Sequence, residues 1–216
     1  MTDSAPTVAA FYDRHPINAD DILTKLRETG RGTEGLTPAD LYDHDQDHYG
    51  GLAANDALAA AAEIGVGTRV LDVCAGMGGP ARYLADRFGA RVVGLDLTVS
   101  RVIGARQLTE LVGLADRCAF VAGDAQRLPF ADGSFDAVIG QEAWLHVPDK
   151  AALLGDAHRV LTADWRIAFS DWIAGPGFDD AAAALMREGI TAQDVATVDR
   201  YRALLGAAGF RAVQVV

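Results

Sequence analysis

Cysteine is nearly absent from this 216-residue chain: Cys74 and Cys118 are the only two, and each is embedded in an apolar, strand-like pattern. That excludes a disulfide framework and points to a reducing compartment. No apolar run approaches ~18 residues, the rough minimum for a membrane span. No signal peptide opens the chain, so a cytoplasmic location is expected. Basic residues are also scarce, 19 Lys and Arg against 30 Asp and Glu, for a formal charge of −11. Such a balance disfavours nucleic acid or an anionic membrane surface as partner. What the chain does have is apolar content, 50% of its residues, enough at this length for one α/β domain with a sizeable core.

The most informative stretch is Arg69-Val-Leu-Asp-Val-Cys-Ala-Gly-Met-Gly-Gly-Pro80. It reads as a buried strand, a tight glycine turn and, from Pro80, a helix closed by Gly89. Gly76 and Gly78 leave room for a ligand to lie directly on the backbone. Gly76-x-Gly78-x-x-Ala81 with Asp96 twenty residues on also satisfies a dinucleotide fingerprint, so an NAD-dependent oxidoreductase is the rival reading. Asp72 tips the balance. A carboxylate at the end of the first strand suits a ligand with a free amino-acid end better than a pyrophosphate.

Two further strands end in acids. Arg91-Val-Val-Gly-Leu-Asp96, followed by Leu97, places a carboxylate where ribose hydroxyls are bound. Cys118-Ala-Phe-Val-Ala-Gly-Asp124-Ala125 places one suited to an exocyclic adenine amine. With Phe135-Asp-Ala-Val-Ile as a fourth strand, the set Asp72-x-x-x-Gly76-x-Gly78-Gly79, Asp96 and Gly123-Asp124-Ala125 resembles class I S-adenosylmethionine-dependent methyltransferases over roughly residues 50–174. Within that superfamily, Asp45-Gln-Asp-His-Tyr49-Gly-Gly and Gln141-Glu-Ala-Trp-Leu-His146-Val-Pro-Asp-Lys150 look like the branch that methylates small amines, sarcosine/dimethylglycine and phosphoethanolamine among them. The resemblance implies S-adenosylmethionine as cofactor, S-adenosylhomocysteine as product and a small-molecule acceptor. It leaves N-, O- or C-methylation and a homo-oligomer open, along with a methyltransferase-like binding protein without turnover.

Strands alternating with helices predict a doubly wound, mainly parallel sheet. Residues 1–50 are expected to form a helical lid, with a helix capped by Asn18 and ended by Gly30. Residues 51–216 form the cofactor-binding domain, with a cap insertion near 174–194. A helix over 52–64 is expected to end at Gly65, and Phe210–Val216 to start a sixth strand. The resembled family continues through one more helix and an antiparallel seventh strand. Either the chain is truncated or its sheet edge is unusual, and truncation is the expectation. Trp165 stands where relatives place a turn glycine, so strain or a different turn is expected there.

Ligands in such a sheet bind where strand order reverses, between the first and fourth strands, so residues 141–146 should face the acceptor. His146 is the candidate base, since histidine titrates near neutrality. Glu142 would orient His146 or pair with a cationic substrate, and Gln141 would touch the cofactor through its amide. His48 and Tyr49 would lie over the cofactor. His44 and His48 are spaced i, i+4, but no third ligand accompanies them, and no metal is expected.

Overall fold

Five parallel strands position everything that follows: β1 (Arg69–Val73), β2 (Arg91–Asp96), β3 (Cys118–Ala122), β4 (Phe135–Gln141) and β5 (Leu161–Ser170), in spatial order β3-β2-β1-β4-β5. The computed structural model of the chain describes residues 4–15 and 17–216, and the side chains of residues 4–7, 164 and 165 lie outside that description. Every pairing is parallel, with Leu71 facing Val93 on one side and Val138 on the other. Strand order reverses between β1 and β4, as expected.

Because both faces are covered, β1 and β4 are apolar almost throughout rather than alternating. Val70, Val92, Ala137 and Ile139 point into one core with α3 (Gly51–Ala61), α4 (Gly79–Phe88) and α5 (Val99–Leu111). Leu71, Val73, Leu95 and Val138 point into the other, under α6 (Lys150–Val160) and α8 (Val198–Ala208). Before the sheet come α1 (Ser4–Tyr12), α2 (Ala19–Glu28) and a 3-10 turn at Pro38–Leu41. Asn18 caps α2 by accepting from the Asp21 N–H, as expected, and Ile22, Leu23 and Leu26 on one face are buried. On α5, Gly104 gives α2 its close approach, since a Cβ there would stand 3.2 Å from that of Ala19.

Several local expectations need correction. α3 ends at Ala61 with its cap at Ala62, and Glu63 rather than Gly65 takes the left-handed conformation at φ 52°. Phe210–Val216 forms no strand; it follows α8 and its Gly209 cap, it pairs with none of the five strands, and residues 211–216 are exposed. β-branched residues favour a pleat only where a partner completes it. Ahead of β5 there is no separate turn: α6 runs into a strand beginning at Leu161, and a bulge shifts the β4–β5 register between Phe135 and Ala137. The strain expected at the Trp165 side chain lies outside the described residues.

The end of β4 is tightly packed. Trp144 is fully buried, stacks on Phe169 at 4.3 Å and donates through Nε1 to the Val73 carbonyl at 3.2 Å. A Cβ on Gly140 would lie 2.3 Å from that indole nitrogen. Gly140→Ala is therefore expected to cost about 1–3 kcal/mol by overpacking. In thermal denaturation that is a fall of roughly 2–4 °C per kcal/mol for a chain of this size.

Candidate active site

A cavity of about 600 Å³ opens at the carboxyl ends of the strands, across the β1–β4 reversal. Asp72 and the turn through Gly76 line it from β1, Asp96 and Leu97 from β2, Asp124 and Ala125 from beyond β3, and Gln141, Glu142 and His146 from beyond β4. His48 closes it from the N-terminal segment, together with Val8, Tyr12, Asp45 and Asp47. Ten of the twelve residues singled out in the sequence thus border one space.

Gly78 and Tyr49 do not. Gly78, at φ 76°, caps α4, and a Cβ there would lie 2.4 Å from the Phe120 ring, so this glycine serves packing beneath the turn. Tyr49 is 72% exposed, its ring near Trp172. Only its backbone reaches inward, donating to Glu142 Oε1 at 3.0 Å.

The glycine turn is held by Asp96. Its two oxygens accept from the N–H groups of Gly76 and Thr98, each at 2.8 Å, leaving lone pairs facing the cavity. Burial still raises its pKa against those hydrogen bonds and the Arg101 charge. Asp72 is more constrained: its side chain is buried, Oδ2 has no partner, and burial with the nearby Asp96 charge pushes its pKa up to about 7. Gln141 likewise keeps both amide atoms buried and unpartnered. Asp124 accepts from the Gln126 N–H at 2.9 Å and remains exposed at the rim.

His146 lies at the end of a 3-10 turn, Trp144–His146. Its Nε2 is 2.7 Å from the Tyr12 hydroxyl and its Nδ1 is 3.4 Å from the Thr191 carbonyl. With Nδ1–H directed at that carbonyl, Nε2 accepts from Tyr12. Burial lowers the His146 pKa to about 4, so the ring is neutral at pH 7. Burial raises the Tyr12 pKa, keeping the phenol protonated.

Glu142 does not orient His146. Its φ of 50° turns it away from a helical path, and its carboxylate is taken by the Tyr49 N–H, so the expected orienting role falls to Tyr12 and Thr191. Cys74 at the end of β1 is also left-handed, at φ 68°. No residue of the 174–194 segment borders the cavity, and α7 (Asp180–Ile190) buries no side chain.

Sequence reasoning missed Arg101 and Arg82, and it gave no separate role to Asp45 and Asp47 within the Asp45–Gly51 motif. Arg82 is fully buried; it donates to Asp45 Oδ2 at 2.9 Å, to the Met77 and Ala105 carbonyls and to Thr109 Oγ1. It pins the 42–50 loop onto the glycine turn, where a Cβ on Gly79 would meet the Asp45 carbonyl at 2.1 Å. Among the described residues no group of three or more His, Cys, Asp or Glu could hold a metal ion, and no helix is long and apolar enough to cross a membrane.

Residues 70–164 match the family model described as a methyltransferase domain. The chain is 36% identical over 151 residues to the methyltransferase GfsG of Streptomyces halstedii, covering 68% of this chain and 54% of that one. It is 36% identical over 123 residues to the sterol 24-C-methyltransferase of Eremothecium gossypii, covering 57% and 33%. The chain thus spans between a third and about half the length of these relatives. The solved structure of Haemonchus contortus phosphoethanolamine N-methyltransferase 2 with S-adenosyl-L-methionine shares the fold, with a TM-score of 0.76 at 21% identity over 95% of this chain and 44% of that one. Residues 70–164 thus match a methyltransferase domain, and that stretch carries the strand-order reversal and most of the side chains that line the cavity.

Proposed function

We propose that the chain transfers a methyl group from S-adenosylmethionine to a small acceptor, at an amine nitrogen. The observation that carries this reading is the convergence of Asp72, Asp96 and Asp124, with the partnerless amide of Gln141, on a single cavity. The donor set fits the cofactor: Asp72 Oδ2 for its ammonium, Asp96 for ribose hydroxyls, Asp124 for the adenine amine. A dinucleotide pyrophosphate would instead meet the carboxylates of Asp72 and Asp96 beside the glycine turn.

Bound there, S-adenosylmethionine supplies an electrophilic methyl on a sulfonium sulfur. The chain's share is to hold the acceptor in line and exclude water, which is worth on the order of 7–11 kcal/mol in well-oriented systems. Residues 1–50 act as the lid in this proposal, since Val8, Tyr12, Asp45, Asp47 and His48 supply one wall. Tyr12 and His146, which both line the cavity, form the proton-accepting pair: as the acceptor's N–H bond breaks its proton moves to the phenolic oxygen, and the phenol's own proton moves to Nε2 of the neutral imidazole. Asp47, Glu142 and Asp149 add negative potential, which favours a cationic or amine acceptor over a phosphorylated one. The net charge of −11 supports a small acceptor rather than nucleic acid, and the free thiols of Cys74 and Cys118 support a cytoplasmic setting. Likeness to a sterol C-methyltransferase supports a second reading, methylation at carbon, and likeness to a tocopherol O-methyltransferase one at oxygen.

Calorimetry with S-adenosylhomocysteine and NAD side by side tests the proposal. S-adenosylhomocysteine should bind about tenfold more tightly at pH 8 than at pH 6, because Asp72 must be ionised to receive an ammonium group. Asp72→Asn should flatten that dependence. Binding of NAD alone would overturn the assignment, and mass analysis of the product separates nitrogen from carbon or oxygen.

A further inference from the structure

We propose that Arg101 is the anion subsite of this cavity, taking the carboxylate of the cosubstrate's amino-acid end while Asp72 takes its ammonium. This rests on the methyl-transfer reading.

Arg101 is rooted in α5, and its side chain is only 4% exposed. One guanidinium nitrogen, Nη1, makes a long contact of 3.4 Å to Asp47 Oδ2. The other, Nη2, is buried without a partner, although Arg101 borders the cavity. A guanidinium cannot shed its charge, and an unmet donor on it is costly in a water-poor setting. Its plane is fixed by the Tyr12 ring, whose centroid lies 4.7 Å from the guanidinium carbon. Nη1 stands 3.7 Å from where a Cβ on Gly76 would be, so the fork borders the turn on which the ligand lies.

An α-amino-acid end is zwitterionic, and its receptor needs one fixed charge of each sign. Among the side chains that line the cavity, Asp72 and Arg101 are the anion and cation that keep a buried polar atom unpartnered. The acids around the fork argue against a phosphate dianion, whereas a single carboxylate matches the fork geometry.

The test is calorimetry of the full chain with S-adenosylhomocysteine and with 5′-methylthioadenosine, which keeps the adenosyl thioether but lacks the amino-acid end. Arg101→Met should weaken S-adenosylhomocysteine by about 10–100-fold, the range for a hydrogen bond between charged groups. Methylthioadenosine should change by less than about twofold, while Arg101→Lys should recover part of the loss. Thermal melting of Arg101→Met and Arg101→Gln checks that the variants fold. Parallel loss of both ligands would make Arg101 a brace for Tyr12 and overturn the subsite. No loss of either would do the same, and would leave a carboxylate on the acceptor as the group to try there. Failure of the unmodified chain to bind S-adenosylhomocysteine is a distinct result that removes the methyl-transfer reading itself.

Discussion

Arg82→Met is expected to destabilise the chain by about 3–5 kcal/mol, the range for removing one partner of a buried ion pair. The guanidinium is fully buried, and its partner Asp45 has 1% of its side chain exposed. Removing the charge strands that carboxylate. It also frees the Met77 and Ala105 carbonyls and Thr109 Oγ1, which no nearby side chain replaces. Methionine matches the aliphatic stem but offers no donor. Because the same interaction seats the 42–50 loop on the glycine turn, affinity for S-adenosylhomocysteine should fall with stability. Urea denaturation gives the first quantity and calorimetry the second. A loss below about 1 kcal/mol would show that the loop finds another anchorage.

The second large effect is on turnover. Tyr12→Phe and His146→Ala should each lower kcat by about 10²–10⁴-fold, the usual worth of a positioned proton acceptor, while leaving S-adenosylhomocysteine affinity within a few-fold. Phenylalanine keeps the ring beneath Arg101, so the wall of the cavity is preserved while the hydroxyl that meets Nε2 is lost. The pH dependence follows from burial. His146 is held at about 4, below the ordinary 6.5, so the folded chain binds fewer protons than the unfolded chain between those values. Its contribution to stability is complete above pH 6.5 and is lost as pH falls toward 4. The acid limb of kcat should therefore lie well below pH 6. Equal loss of turnover and of cofactor affinity in His146→Ala would make the residue structural.

The strand acids were legible because they follow a local rule: an apolar run, then a carboxylate, then a turn. Asp72, Asp96 and Asp124 each obey it, and the sheet then brings them to one edge. The Tyr12–His146 contact spans 134 residues, and no periodicity in either segment announces it. Arg101 was hidden for a related reason. It sits on α5, where buried Val102, Ala105 and Leu108 at helical spacing signal packing alone, and its place at the cavity depends on α1 and the glycine turn meeting it. Glu142 and Cys74 adopt left-handed backbone without being glycine, which local preference disfavours and only the surrounding fold can impose. Phe210–Val216 shows the converse, a strand-like composition without a neighbour to pair with.

The phenol that meets His146 sits on an amino-terminal helix, not on the sheet that carries the three acids. On the proposed mechanism, the acids that hold the nucleoside end and the hydroxyl that accepts the proton therefore come from different stretches of polypeptide. On that mechanism, displacing that one helix would silence proton removal while the nucleoside end stayed in its berth, separating being loaded from being competent.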